Sequence, residues 1–142
     1  MTINPYASER RILVDTDVFS FIFNGHTKAE FFKSFLSNKT LAVSFMSVAE
    51  LYYGAYFANW GIARISRLEN QLKNYVVLPY DYLLCQKWAE IKYQCGAVGK
   101  SIEHGDCWIA ATALRYECPL ATGNGDHYKN VSHLKLISPG LM

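Results

Sequence analysis

Short apolar runs alternate along this chain with longer stretches in which apolar residues recur every three or four positions. Arg11–Val14 is a buried-strand run, and residues 40–45, 75–78, 119–122 and 134–137 repeat the pattern. Between them, helical spacing appears four times. Phe31, Phe32, Phe35 and Leu36 share one face of residues 28–36, and Ile62, Ile65, Leu68 and Leu72 one face of residues 62–73. Leu84, Trp88, Ile91 and Cys95 follow Asp81 with the same spacing, and Trp108, Ile109, Ala113 and Leu114 mark residues 106–116. Asn24-Gly25, Ser37-Asn38, Pro79 and Gly123-Asn124-Gly125 punctuate the pattern, and residues 96–105 read as a loop. Asp17 is expected to cap a short helix over residues 18–23, and Asp81 the helix that follows it. Ser47-Val48-Ala49-Glu50 has the spacing of a capping box. Strands alternating with helices predict an α/β fold, a three-layer α/β/α arrangement with a mainly parallel central sheet. No repeat or linker divides the chain, so residues 1–142 are expected to form a single domain.

Composition narrows the function classes. A 51% hydrophobic and 18% charged chain folds around a core and is not disordered. Ten Tyr and three Trp favour half-wet surfaces, hence a protein partner or self-association. A net charge of +2 announces no nucleic-acid binding by itself, although a local patch would suffice. Cys85, Cys95, Cys107 and Cys118 lack zinc-site spacing and read as thiols of a reducing compartment. Residues 1–11 are polar and carry Pro5, Glu9, Arg10 and Arg11, unlike a signal peptide. The longest uncharged run, residues 51–63, is too short to span a bilayer. A soluble, cytoplasmic protein without a membrane partner is expected.

The chemistry lies in where the acids fall. Asp15 directly follows Ile12-Leu13-Val14, Glu50 lies just past the second apolar run, and Asp106 opens an almost wholly apolar helix. Asp126 ends the turn after Leu120-Ala121. In an open α/β sheet the carboxyl ends of parallel strands share one edge, where ligands bind. Each acid also has a simpler explanation: an Asx turn at Asp15, a cap at Asp17, Glu50 or Asp106, a tight turn around Asn124 and Asp126. Burying Asp15 for a turn alone is costly, however. Carboxylates that converge must take up protons or hold a cation, and hard oxygen ligands suit Mg²⁺ or Mn²⁺. His127 is open to two readings, a surface residue or a phosphate contact. Arg64, Arg67 and Lys73 could steer an RNA backbone or simply form a solvated face.

Four stretches carry a family resemblance: Ile12-Leu13-Val14-Asp15-Thr16-Asp17-Val18-Phe19, Ser47-Val48-Ala49-Glu50-Leu51-Tyr52-Tyr53-Gly54, Gly105-Asp106-Cys107-Trp108-Ile109-Ala110-Ala111-Thr112-Ala113, and Leu120-Ala121-Thr122-Gly123-Asn124. In order and spacing the chain resembles the PIN-domain ribonucleases, most closely the VapC toxins of toxin–antitoxin pairs. The resemblance implies that Asp15, Glu50 and Asp106 bind Mg²⁺ or Mn²⁺, with Thr16 and Thr122 in support. It implies an endoribonuclease that cuts RNA by metal-activated water, leaving a 5′-phosphate and a 3′-hydroxyl. The family's fourth site position falls on Asn124, where many relatives carry Asp. The chain then holds one tight metal, or Asp126 compensates for the missing charge. Family likeness also implies a homodimer and a cognate antitoxin laid across the active-site groove. Phe31, Phe32, Phe35, Tyr52, Tyr53, Tyr56, Phe57 and Trp60 offer apolar surface for it. Two alternatives stand beside this one. A catalytically weak PIN-like RNA-binding module is suggested by Asn124. A haloacid-dehalogenase-like phosphatase is suggested by Val14-Asp15-Thr16-Asp17-Val18, with Lys100 as its cation.

Overall fold

The computed structural model describes residues 9–140; most of the polar N-terminal stretch discussed above falls outside them. Five strands, β1 (Arg11–Val14), β2 (Thr40–Ser44), β3 (Val76–Leu78), β4 (Leu120–Ala121) and β5 (Leu136–Ile137), pair parallel in the order β3-β2-β1-β4-β5. Between them run α1 (Thr16–Phe23), α2 (Ala29–Leu36), α3 (Phe45–Phe57), α4 (Ile62–Leu72), α5 (Tyr82–Ala97) and α6 (His104–Arg115). The parallel three-layer α/β/α fold expected from the apolar pattern is the fold observed.

Strand periodicity sorts the core into two layers, because successive side chains leave opposite faces of a strand. Leu13, Ala42 and Leu120 point to the layer closed by α5 and α6, with Leu84, Ile91, Cys107 and Ile109. Their neighbours Ile12, Val14, Val43 and Ala121 point the other way, to Phe19, Phe32, Phe35, Leu51 and Leu68. α6 is apolar nearly all round because it is covered from both sides, and residues 109–113 are all buried.

Helix starts differ from the sequence expectation at three places, at α1 and α3 for a local hydrogen-bonding reason. α1 begins at Thr16 with Asp15 as its cap: the Asp15 backbone is extended and its carboxylate accepts from Thr16 N. Asp17 is therefore a first-turn residue and not the cap. β2 ends at Ser44, one residue early, because Ser44 Oγ accepts from Met46 N and caps α3. Phe45 then turns helical and packs at 5.7 Å from the Trp108 ring. The capping box at Ser47 and Glu50 does not form; both residues lie inside α3. The stretch read as a loop over residues 96–105 is shorter, since α5 runs to Ala97 and α6 starts at His104. Asp106 sits in the first turn of α6 and not at its cap. Asp81 does cap α5, accepting from Leu84 N at 2.8 Å.

Phe19 anchors α1: it is fully buried, with ring centroids 5.1 Å from Tyr75 and 6.2 Å from Phe23. Phe19→Ala should cost about 3–5 kcal/mol of stability by urea denaturation. A loss under about 1 kcal/mol would mean that the layer collapses around the missing ring.

Candidate active site

Strand order reverses between β1 and β4: the chain moves outward through β2 and β3, then returns to add β4 and β5 on the other side. Crevices form outside the carboxyl ends of strands at such a reversal. Asp15 leaves β1 there and Thr122 leaves β4 beside it, with Asp15 N donating to Ala121 O at 2.9 Å. Next to them, Ser44 holds two elements together. Its hydroxyl caps α3 and lies 3.0 Å from Thr112 Oγ1 of α6, both side chains fully buried. The helices that carry Glu50 and Asp106 are thereby fixed relative to each other.

An open cleft of about 320 Å³ results, lined by Asp15, Thr16, Asp17, Glu50, Glu103, Asp106, Asn124 and His127. Larger concavities exist, one of about 660 Å³ edged by Lys87, Glu90, Glu117 and Lys135, but their charges are mixed. Here alone among the described cavities do four or more carboxylates share one wall. Among the described residues no Lys or Arg lines the cleft.

Hydroxyl and amide donors hold the acids in place. Asp15 is 6% exposed; its Oδ1 accepts from Thr16 N at 2.8 Å, and its Oδ2 from Thr122 Oγ1 at 2.8 Å and Tyr128 OH at 3.0 Å. Glu50 Oε1 accepts from Thr16 Oγ1 at 2.7 Å, while Thr16 Oγ1 also lies 2.8 Å from Ser47 Oγ. Asp106 Oδ2 lies 3.2 Å from His127 Nδ1, and Asp106 Oδ1 lies 3.3 Å from the same Tyr128 hydroxyl. Asp17 Oδ2 accepts from Gly123 N at 3.0 Å and Asn124 Nδ2 at 2.9 Å.

Two glycines let these groups approach. A Cβ on Gly123 would lie 2.7 Å from Asp17 Oδ2 and 3.0 Å from the Phe21 ring, and one on Gly105 would lie 3.0 Å from Glu50 Oε2. A side chain at Gly123 would force the Asp17 carboxylate to move, and one at Gly105 would press on that of Glu50.

Crowding shows in the acidities. Burial raises the pKa of Asp15, Glu50 and Asp106 above the usual carboxylate range, and the neighbouring carboxylates add to each. Asp17 is pushed up to about 6, by burial first and by the Asp15 charge second.

Of the residues singled out in the sequence, Asp15, Thr16, Asp17, Glu50, Asp106 and Asn124 all line the cleft, and Thr122 lies directly behind Asp15. Asp126 does not join them: it is 3.5 Å from Lys129 and strongly exposed. Asp17, for which a cap is the simpler sequence reading and a supporting place in the site the other, stands beside Asn124 in its stead. Arg64 stacks over Trp60 at 4.0 Å and Arg67 over Phe23, both away from the cleft. Lys100 lines a neighbouring cavity and not the wall that holds Asp15. The aromatic set divides, with Phe32 and Phe35 buried in the core and Tyr53, Tyr56 and Phe57 exposed. Sequence reasoning missed Tyr128, because a Tyr past a Gly-rich turn carries no local sign of which way it folds back. Glu103, three residues before Asp106, also lines the cleft.

Because an unfolded Asp titrates near 3.8 and folded Asp17 near 6, the native state binds the extra proton between those values. Asp17 therefore favours the metal-free fold below about pH 4 and loses that contribution as pH rises through about 6. In EDTA, the Tm of Asp17→Asn minus that of the natural chain should increase from about pH 5 to about pH 7.5. A difference that stays flat across that window would refute the raised pKa of Asp17.

Comparison with known proteins agrees with this geometry. The chain is 29% identical over 129 residues to ribonuclease VapC1 of Haemophilus influenzae strain R2866, covering 87% of this chain and 93% of that one. It is similar in fold to VapBC2 from Rickettsia felis, solved bound to a DNA fragment from their promoter. That match has a TM-score of 0.81 at 22% identity and covers 90% of this chain and 98% of the other. It is also similar to VapBC-5 from Mycobacterium tuberculosis, a member of the VapBC family of toxin–antitoxin systems. There the TM-score is 0.69 at 22% identity, over 91% and 97% of the two chains. Residues 12–134 match the family model of the PIN domain, and the chain belongs to that family.

Proposed function

We propose that this chain, a single domain over residues 1–142, is a divalent-metal-dependent endoribonuclease of the VapC kind, kept inactive by a cognate antitoxin. The observation that carries this reading is the meeting of Asp15, Glu50 and Asp106, from three distant segments, on a cleft lined by no Lys or Arg. The names borne by the similar ribonuclease and by the VapBC structures support it.

The donor set fits a hard divalent ion. Carboxylate oxygens are the ligands Mg²⁺ and Mn²⁺ prefer, and no thiol lines the cleft to favour a softer metal. Among the described residues no three such groups already close around one point. The acids instead line an open wall, which suits an ion that keeps several waters. Asp15, Glu50 and Asp106 would hold it. When bound, the ion neutralises charge growing on the scissile phosphate and lowers the pKa of water.

The chain's other residues orient and hold. Thr122 keeps Asp15 turned into the cleft, and Thr16 does the same for Glu50 from the next turn. Asn124 spends its amide N–H on Asp17, leaving its amide oxygen for water or the RNA backbone. An aspartyl-phosphate route at Asp15 finds no cation beside that carboxylate, since Lys100 lies in the adjoining cavity.

RNA is the substrate in this reading, and the partners are an antitoxin and a second copy of the chain. Helical spacing places Tyr53 and Phe57 in line with Glu50 on α3, stacked at 6.1 Å and 65% and 79% exposed. An apolar stripe leading away from the cleft suits an amphipathic segment of the antitoxin. No helix among the described residues is long and apolar enough to cross a membrane. All four cysteines are free thiols, in keeping with the cytoplasm as the compartment.

Incubation of the purified protein with a mixed RNA panel should yield cuts in Mg²⁺ or Mn²⁺ and none in EDTA. Asp106→Asn should reduce cleavage by at least about 100-fold with the fold intact, since even outer-shell partners of a metal are felt at 10–100-fold. Metal-dependent cutting retained in that variant would defeat the assignment. RNA binding with no cleavage by the natural chain would make it a binding module instead.

A further inference from the structure

We propose that Tyr128 is a positioning residue of this site: its hydroxyl ties Asp15 to Asp106 and sets the spacing at which the two carboxylates meet a divalent cation. This deepens the metal-dependent reading above and rests on it.

Tyr128 is 1% exposed, and its hydroxyl lies 3.0 Å from Asp15 Oδ2 and 3.3 Å from Asp106 Oδ1. These acids belong to different elements, one at the end of β1 and one in the first turn of α6. The side chain is delivered by the short 3₁₀ turn Gly125–His127, which Tyr128 closes with its N–H on Gly125 O at 3.0 Å. His127, on the same turn, approaches the other Asp106 oxygen at 3.2 Å. Two successive residues thus reach both oxygens of Asp106.

A buried tyrosine needs one acceptor for its hydroxyl, and one lone carboxylate or carbonyl would satisfy it. This one lies between two carboxylates that repel each other. It has a single proton and donates to one of them at a time, so what it imposes on the pair is distance. The two acids do not depend on it equally. Without the hydroxyl, Asp15 keeps Thr16 N and Thr122 Oγ1, whereas among the described residues Asp106 keeps only His127, whose side chain is 56% exposed. Losing the bridge therefore releases Asp106.

Tyr128→Phe removes the bridge and keeps the ring in its buried place. Three measurements on the full chain test the proposal: Mn²⁺ affinity by calorimetry, Tm in EDTA, and RNA cleavage across an Mn²⁺ series. Affinity should weaken by about 10–100-fold, the usual effect of removing an outer-shell partner. Cleavage should fall at limiting Mn²⁺ and recover at saturating Mn²⁺, with KM for RNA unchanged. A packing defect would lower Tm and would not be rescued by the ion. Affinity within about twofold of the natural chain, whether or not Tm falls, overturns the role of Tyr128 alone when that chain binds Mn²⁺ and cuts RNA. A natural chain that neither binds Mn²⁺ nor cuts RNA overturns this proposal together with the functional reading beneath it.

Discussion

A carboxylate buried at the end of β1 is the constraint around which this edge of the protein is arranged. Asp15 follows three fully buried apolar residues and cannot swing into water without pulling β1 out of the sheet. An unpaired charge there would be prohibitive. The fold offsets it with an amide, a threonine and a tyrosine, drawn from α1, from the exit of β4 and from the turn beyond. None of these donors is a formal cation. Asp15 is thereby made tolerable without a formal counter-charge, and Glu50 leans in the same way on Thr16. The uncompensated field left over is what a divalent ion would answer.

Two features of the surrounding packing keep that field concentrated. The hydrophobic layers on either face of the sheet fix the strand ends as a rigid floor, so the carboxylates cannot drift apart to relieve repulsion. Gly105 and Gly123 then bring backbone close against Glu50 and Asp17, where a Cβ would push on the carboxylates. Asn124 fits the same economy. Its amide N–H quiets Asp17, where a further carboxylate would have added another repulsive contact.

Surface and core divide the aromatic residues in a way that composition hides. Phe31, Phe32 and Phe35 interlock on α2, with the last two buried, and Phe19 stacks toward Tyr75. One helix further, Tyr53, Tyr56 and Phe57 remain in solvent. The apolar face of α2 is consumed by folding, and that of α4 around Leu68 but not at Ile62, which is exposed, whereas α3 has the sheet on one side and water on the other. Recognition and stability thus draw on the same residue types, separated by which side of a helix meets the sheet.

Much of this protein is legible in its linear order. Strand and helix positions follow from apolar periodicity because burial on a sheet face and on a helix stripe impose different repeats, two and 3.6. Asp15, Glu50 and Asp106 stand out because each follows or opens an apolar segment where a charge is expensive. Local signals fail where a short polar side chain has several nearby partners to choose from. Ser44, Ser47 and Asp17 all resemble helix caps in sequence, and only the packed sheet end decides that Ser44 caps α3, that Ser47 meets Thr16 and that Asp17 turns to Asn124. Tyr128 lies furthest from legibility. Its partners lie 113 and 22 residues away, and a hydroxyl finds them only after β4 and α6 have been brought to one edge by tertiary packing.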